Sequence, residues 1–184
     1  MADSNITKRA LAAALKALMK EMPFEKITIS DICEKCNMNR KSFYYHFKDK
    51  YDLVNWIFDT EFLAVAVKKE YINRWDKIND LCQYFYANHN FYSKVLNVTG
   101  QNSLSDHMKE LFIPVIFDAF QEEAVSPKMR NFQIAFFSDA LTLAFQRWLT
   151  DKNPLSAEEF VEQSQLCLEM IQMKLQELER DKRL

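Results

Sequence analysis

The stretch from Asn39 to Lys50 is rich in side chains that donate hydrogen bonds or carry positive charge. Lys and Arg neutralise phosphate groups and release their counterions, and Ser and Tyr hydroxyls donate to phosphate oxygens. So many donors on one convex helical face suit the groove of a duplex better than a catalytic pocket or a sugar site. The side chains concerned are Arg40, Lys41, Ser42, Tyr44, Tyr45, His46, Lys48 and Lys50.

Two short helices joined by a tight turn are predicted to present these donors. Thr28 and Asp31 have the spacing of a capping box, in which each side chain accepts a hydrogen bond from the backbone N–H of the other residue. Asn37 stands where the chain must turn left-handed, and Asn39 can cap the helix that follows. These signals predict a helix-turn-helix over residues 28–47. In the second helix Phe43 and Phe47 are expected to face inward.

The rest of the chain is also predicted to be helical. Its 184 residues include one Gly and four Pro, whereas sheets need many tight turns built from these residues. The first helix carries the apolar stripe Leu11, Leu15, Leu18 and Met22 and ends at Pro23. The other predicted helices span Asp49 to the low seventies, 75–90, 103–124, 127–150 and 156–180, with a loop around Gly100 and a cap at Ser126.

The net charge of −2 conceals an asymmetry along the chain. Residues 1–50 contain ten Lys or Arg and six Asp or Glu, which gives +4, and residues 51–184 contain fourteen and twenty, which gives −6. A basic first segment on an acidic remainder is typical of a module that binds a polyanion. A solvated basic surface without a ligand is the alternative interpretation.

The sequence of the helix-turn-helix resembles a known family. Ile27–Ile32 (ITISDI) and Ser42–Leu53 (SFYYHFKDKYDL) are similar to the signature of the tetracycline-repressor-like (TetR/AcrR) family, and the resemblance covers about residues 6–58. That family commonly has Gly at the position of Asn37, and Asn can adopt the same conformation. The resemblance implies that Arg40, Lys41, Ser42, Tyr44, Tyr45 and His46 contact DNA and that Lys50 meets phosphate. Thr28, Ser30 and Lys48 complete the candidate DNA-binding residues.

The resemblance also implies a two-domain organisation and a set of partners. We expect an all-α homodimer with an N-terminal three-helix helix-turn-helix DNA-binding domain over residues 1–50. A C-terminal helical effector-binding and dimerisation domain is expected over residues 51–184. The partners would be a palindromic double-stranded DNA operator and a small-molecule effector or protein co-regulator. The alternative is a helical protein-interaction co-regulator that does not use DNA binding.

A looser similarity points to a subgroup of the family. Phe24-Glu-Lys-Ile27, Gly100-Gln-Asn-Ser103 and Trp148-Leu149 resemble regulators of bacterial dihydroxyacetone-kinase operons. Some members of that subgroup activate transcription together with a protein co-regulator.

Residues 127–150 form two apolar rows on one predicted helix. One row is Met129, Phe132, Phe136, Ala140 and Leu143, and the other is Phe137, Leu141, Phe145 and Trp148. A helix that is apolar on two faces is buried on more than one side. Either the second face packs on a twin subunit, or both faces are used within one chain. Some aromatic residues of this region are expected to line an effector cavity rather than only the core.

Other groups of residues suggest chemistry only weakly. Cys33 and Cys36 have the spacing of redox and zinc motifs, but no second pair of ligands lies nearby, and core packing is the simpler interpretation. Asp106, His107 and Glu110 share one predicted helical turn, either as metal ligands or as a solvated face. No catalytic constellation and no cofactor motif is apparent, so we predict no enzyme. No signal peptide or membrane span is apparent either, so a cytoplasmic protein is expected.

Overall fold

The computed structural model describes residues 2–96, 104–119 and 127–181, and its regular elements in these residues are all helical, which confirms the predicted all-α class. Two turns, the 3-10 turn Phe24–Lys26 and the π-helical turn Asp59–Leu63, interrupt the α-helices. The α-helices are α1 Ala2–Glu21, α2 Ile29–Lys35, α3 Arg40–His46, α4 Lys50–Phe58, α5 Ala64–Ala66, α6 Arg74–Ala87, α7 His89–Leu96, α8 Leu104–Ala119, α9 Pro127–Thr150 and α10 Ala157–Asp181.

Packing divides the helices into two units. The head unit comprises Met1–Lys69 with His89–Leu104, and the body unit comprises Glu70–Asn88 with Ser105–Leu184. The division at residue 50 remains a prediction for where a DNA-binding domain would end. No helix within the described ranges is both long and apolar enough to cross a lipid bilayer.

The core of the head unit forms where four helices turn their apolar sides inward. Leu11 and Leu15 of α1, Ile32 of α2, Phe43 of α3 and Leu53 of α4 are completely buried. Full burial of such a side chain contributes roughly 1.5–3 kcal/mol relative to exposure. The predicted stripe of α1 is confirmed through Leu18, and α1 ends at Glu21, before Pro23.

Local hydrogen bonds begin and end the short helices of the head unit. In the capping box the Thr28 N–H donates to Asp31 Oδ2 at 2.7 Å, and the Asp31 N–H donates to Thr28 Oγ1 at 3.2 Å. Asn37 has φ 53°, which is the left-handed conformation predicted for the turn. Asn39 Oδ1 accepts from the Ser42 N–H at 2.8 Å and caps α3. The predicted helix-turn-helix is therefore present.

Two helix boundaries differ from the predictions. The fourth helix was expected to reach the low seventies, but α5 ends at Ala66. The helix predicted over 75–90 ends at Ala87, because the Asn88 side-chain amide donates to the Tyr84 carbonyl at 2.8 Å and competes with continuation of the helix. A separate helix α7, beginning at His89, was not predicted. It belongs to the head unit, where the Lys94 ammonium donates to the Met19 carbonyl at 2.6 Å.

In the body unit, one of the two apolar rows of α9 packs into the core and the other is exposed. Phe145 and Trp148 are buried, and Phe145 contacts the rings of Phe85 and Phe112 edge-on or tilted. The large side chains of the other row, such as Phe132, Phe136 and Leu143, are exposed, so the residues that the structure describes do not cover that face. We call the large exposed apolar residues of α9 and α10 the open face; it consists of Met129, Phe132, Phe136, Leu143, Leu166, Met170 and Met173.

The last helix begins as the sequence predicts. The Ser156 N–H donates to Glu159 Oε2 at 2.9 Å, and the Glu159 N–H donates to Ser156 Oγ at 3.2 Å, which completes a capping box before α10. The predicted loop around Gly100, the part of the predicted helix 103–124 beyond residue 119, and the predicted cap at Ser126 lie outside the described residues.

Candidate nucleic-acid interface

The helix α3 turns its aromatic side toward the core and its donors toward solvent. Phe43 is completely buried and Phe47 is 3% exposed, and their rings lie 5.8 Å apart. On the opposite side Tyr44 is 50% and Tyr45 is 83% exposed. Because the two buried rings set the rotation of a helix only seven residues long, the outward direction of the polar side chains follows from core packing.

The outward side of α3 carries positive charge and planar groups without an acid. Arg40 and Lys41 are both exposed, and no acidic residue lies in the first turn. The Arg40 guanidinium donates to the Tyr44 hydroxyl at 3.4 Å and lies 5.9 Å from the centre of that ring. The hydrogen bond to Tyr44 raises the pKa of Arg40. A guanidinium is in any case charged at physiological pH.

The next two aromatic side chains of α3 lie edge to face. The half-buried His46 ring lies 4.9 Å from the Tyr45 ring, with the planes at 82°. Tyr45 is the most exposed aromatic residue of α3, and its hydroxyl can both donate and accept a hydrogen bond.

The acidic residues near this surface are held by helix caps. Asp49 Oδ1 accepts from the Tyr51 and Asp52 N–H groups, each at 2.8 Å, and Asp52 Oδ2 accepts from the Lys48 N–H at 2.9 Å. The Lys48 side chain is exposed. The surface formed by α3 and Lys48 is therefore a donor-rich face, which we call the recognition face; it comprises Arg40, Lys41, Tyr44, Tyr45, His46 and Lys48.

Three further residues were predicted to contact DNA, namely Thr28, Ser30 and Ser42. The hydroxyls of Thr28 and Ser42 already form hydrogen bonds within the protein. The Thr28 hydroxyl donates to Asp31 Oδ2 at 2.7 Å, and the Ser42 hydroxyl donates to Asn39 Oδ1 at 3.2 Å. Ser30 is half-buried. The Thr28 and Ser42 hydroxyls can still accept a hydrogen bond, but a phosphate oxygen needs a donor.

Lys50 occupies a different environment from the one that the resemblance implies. Its ammonium donates to the backbone carbonyls of Phe24, Glu25 and Ile27 at 2.8, 3.1 and 2.9 Å, and it lies 4.6 Å from the Phe24 ring centre. An ammonium has three N–H donors, so these bonds use all of them. Burial lowers the pKa of Lys50, and the nearby Glu25 opposes that change.

The three carbonyls that accept hydrogen bonds from Lys50 were not predicted. They belong to Phe24, Glu25 and Ile27, in and just after the 3-10 turn that precedes α2. Every residue has a backbone carbonyl, so no residue type in the sequence could mark this site. The chain conformation alone gathers the three oxygens at one point.

Cys33 lies in the interior of the helix-turn-helix, and Cys36 is partly buried beside it. Cys33 is 2% exposed, and the Cys36 thiol donates to the Ile32 carbonyl at 3.2 Å. Burial raises the pKa of both thiols, which disfavours the thiolate needed for redox chemistry or metal ligation. Core packing is therefore the interpretation that these contacts favour.

Metal ligands do not cluster among the side chains that the structure describes. No group of three His, Cys, Asp or Glu residues there is arranged to hold an ion, and this includes Asp106 and Glu110 of α8. In the described part of the head unit, the recognition face is where exposed hydrogen-bond donors and positive charges are grouped.

Comparison with known proteins agrees with this geometry. The family model described as bacterial regulatory proteins, tetR family, matches residues 10–57, and the model described as transcriptional regulator C-terminal region matches residues 73–170, just over half of the chain. The HTH-type dhaKLM operon transcriptional activator DhaS of Lactococcus lactis subsp. lactis (strain IL1403) is 29% identical over 121 residues. That match covers 64% of this chain and 65% of the relative, so it spans just under two thirds of the relative's length.

Three solved structures share the fold. The dihydroxyacetone kinase operon activator DhaS has a TM-score of 0.64 and 23% identity, over 92% of this chain and 97% of that one. A TetR transcriptional regulator from Streptococcus agalactiae 2603V has a TM-score of 0.69 and 18% identity, over 92% and 95%. NalD, the secondary repressor of the MexAB-OprM multidrug efflux pump in Pseudomonas aeruginosa, has a TM-score of 0.62 and 17% identity, over 90% and 95%. The helix-turn-helix and the recognition face lie within residues 10–57, which the tetR family model matches, and the C-terminal model matches residues 73–170. The chain belongs to the tetR family of bacterial regulatory proteins.

Proposed function

We propose that this protein is a sequence-specific DNA-binding transcriptional regulator that inserts α3 into the major groove of an operator. The observation that carries the proposal is the recognition face, where donors and planar groups point outward while Phe43 and Phe47 anchor the opposite side. A helix fits the major groove, and Arg, Lys and Tyr donate there to base edges and phosphates. The proposed contacts are Ser30, Arg40, Lys41, Tyr44, Tyr45, His46 and Lys48, together with Ser42, whose partly exposed position on α3 lets its hydroxyl accept a hydrogen bond from a base amino group.

Thr28 and Lys50 are given a positioning role in this proposal. Their donor hydrogens are used by Asp31 and by the carbonyls around Phe24. Both residues hold the N-terminal ends of α2 and α4, and thereby orient the recognition helix between them. Their loss would then change the orientation of the recognition face rather than remove a contact to DNA.

The proposed regulator acts as a homodimer through the open face. Phe132 and Phe136 of α9 are 64% and 55% exposed, and Met170 and Met173 of α10 are 61% and 65% exposed. We infer that these side chains form one apolar patch, because large exposed apolar patches mark interaction sites and a two-fold interface uses the same residues of both copies. Two recognition helices related by a two-fold axis would read a palindromic operator. Such a protein acts on chromosomal DNA in the cytoplasm, under the control of an effector or co-regulator that binds the body unit.

The test titrates the protein into labelled DNA taken from upstream of its own gene. Binding is measured by fluorescence anisotropy at several salt concentrations. We expect specific binding that weakens steeply with salt, and a loss of roughly 1–3 kcal/mol for Arg40→Ala if the guanidinium reads a base. The matched control is Lys77→Ala, which removes a cation of α6 outside the recognition face. Wild-type affinity in folded Arg40→Ala would contradict the assignment, and binding of a protein partner without any DNA preference would favour the co-regulator alternative.

A further inference from the structure

Arg40 and Tyr44 form a pair on the outward side of α3. The Arg40 guanidinium donates from Nη2 to the Tyr44 hydroxyl at 3.4 Å, and its carbon atom Cζ lies 5.9 Å from the centre of the Tyr44 ring. The Tyr44 ring in turn lies edge to face with the completely buried Phe43 ring, at a centroid distance of 5.7 Å and an interplanar angle of 83°. The guanidinium is therefore restrained by a side chain that packs on the core of the head unit.

Most hydrogen-bond donors of this pair are left for a ligand. A guanidinium has five N–H donors, and the bond to Tyr44 uses one of them. Within the described ranges no carboxylate pairs with Arg40, and the first turn of α3 contains no acidic residue. Arg40 is exposed and is the first residue of α3, and the N-terminal residues of a recognition helix are the ones that contact base edges.

The residue types of α3 favour guanine as the base that is read by hydrogen bonds. Asn and Gln pair with adenine, and Asp and Glu accept from cytosine, whereas Arg donates two bonds to O6 and N7 of guanine. None of the seven residues of α3 is Asn, Gln, Asp or Glu. Asn39 precedes the helix, and its amide oxygen already accepts from the N–H and the hydroxyl of Ser42. The planar fork of Arg40 matches both guanine acceptors, whereas a lysine such as Lys41 provides only a point charge.

We propose that Arg40, positioned by Tyr44, reads a guanine in each half-site of the operator through the O6 and N7 atoms in the major groove. The inference rests on the proposed function, because it names the base that the recognition face selects. Ordering a long side chain on binding costs conformational entropy, and the contact with Tyr44 removes part of that cost before DNA is bound. A phosphate contact by Arg40 would instead give affinity without sequence preference.

The experiment uses the full-length protein and a duplex that it selects from random sequences. Each guanine of one half-site is replaced in turn by 7-deazaguanine, which lacks the N7 acceptor. At one position this change should weaken wild-type binding by about fivefold or more, whereas Arg40→Ala should bind the modified and unmodified duplexes equally. Inosine at that position is the matched control on the DNA. It keeps O6 and N7 and lacks only the minor-groove amino group, so affinity should stay within about twofold of that for guanine.

Two further variants test the roles of charge and of Tyr44. Lys48→Met removes another exposed cation of the recognition face and should weaken binding to both duplexes by the same factor, so the effect of 7-deazaguanine stays as in wild type. Tyr44→Phe keeps the ring and removes the hydroxyl that accepts from Arg40. The effect of 7-deazaguanine should then become smaller at that one guanine, and an unchanged effect would overturn the positioning role of Tyr44.

Two results would overturn the guanine contact and leave the proposed function in place. One is a wild-type protein that tolerates 7-deazaguanine at every position of the half-site. The other is an Arg40→Ala protein that loses affinity but is still weakened by 7-deazaguanine as much as wild type is. Failure of the wild type to select any sequence from the random duplexes would contradict the proposed function itself, and the guanine contact with it.

Discussion

The Lys50 ammonium donates to the Phe24 carbonyl at 2.8 Å across 26 residues of sequence. Together with the bonds to Glu25 and Ile27, it ties the first residue of α4 to the 3-10 turn in front of α2. The helix-turn-helix lies between these two attachment points. The orientation of the recognition face therefore depends on a lysine that does not itself belong to that face.

Replacement of Lys50 by Met should lower the free energy of unfolding by about 1–3 kcal/mol, because three carbonyls lose their charged donor. The slope of operator affinity against salt concentration should stay as in wild type, since no phosphate contact is removed. Urea denaturation and anisotropy titrations measure the two quantities.

The matched control for this change is Lys48→Met, two residues away and exposed. Its free energy of unfolding should stay within about 0.5 kcal/mol of wild type. Its plot of log affinity against log salt should become shallower by about 1.8, as expected when a dimer loses one phosphate contact in each of its two subunits. If Lys50→Met changed the slope and spared stability, Lys50 would meet phosphate as the family resemblance implies.

Replacement of Phe136 by Glu should convert a dimer into a monomer. The side chain is 55% exposed in the single chain, and an unpaired carboxylate buried between two subunits would lose its hydration. Sedimentation velocity measures the association state, and operator affinity should fall because two half-sites are no longer bound together.

The control for the dimer prediction is Ile72→Glu, which introduces the same charge at an apolar residue that is 99% exposed but lies outside the open face. This variant should sediment as wild type does. A dimeric Phe136→Glu protein would show that the subunits associate through other residues.

Loss of the Asp31 carboxylate should make stability less sensitive to acid. The backbone hydrogen bond from Thr28 lowers the pKa of Asp31 below its ordinary value of 3.8. The stabilisation by the Asp31 carboxylate is therefore complete at pH values above the unfolded-state pKa of 3.8. It disappears as the pH falls through the lower pKa of the folded state. Urea titrations from pH 7 to pH 3 should show that Asp31→Ala is less stable than wild type at neutral pH, with a difference that narrows in acid. A constant difference across this range would argue against the capping role.

The Cys82 thiol should resist modification until the protein unfolds. It is completely buried, and burial raises its pKa to about 12. At pH 8 only about 10⁻⁴ of it would be thiolate, the form that attacks disulfide reagents. With Ellman's reagent, folded wild type and folded Cys82→Ala should release equal amounts of product, and the two should differ by one thiol only in urea. A difference between the folded proteins would mean that solvent reaches Cys82.

The sequence by itself determined the local structure around the recognition helix. Thr28 with Asp31 and Asn39 with Ser42 form hydrogen bonds across three residues, so their spacing alone specifies where α2 and α3 begin. Asn37 adopts φ 53° for an equally local reason. Interactions between residues so close in the chain need no knowledge of the fold.

Only the tertiary structure decided the contacts of residues whose partners are distant in the sequence. Lys50 lies in a basic run and resembles its neighbours in sequence, yet its three partners are backbone oxygens more than twenty residues away. The rows of α9 that contain Phe136 and Phe145 are equally apolar, and packing alone leaves the first exposed and buries the second. Hydrophobic burial is non-directional and depends on which surfaces meet, so periodicity shows that a face is apolar but not what covers it.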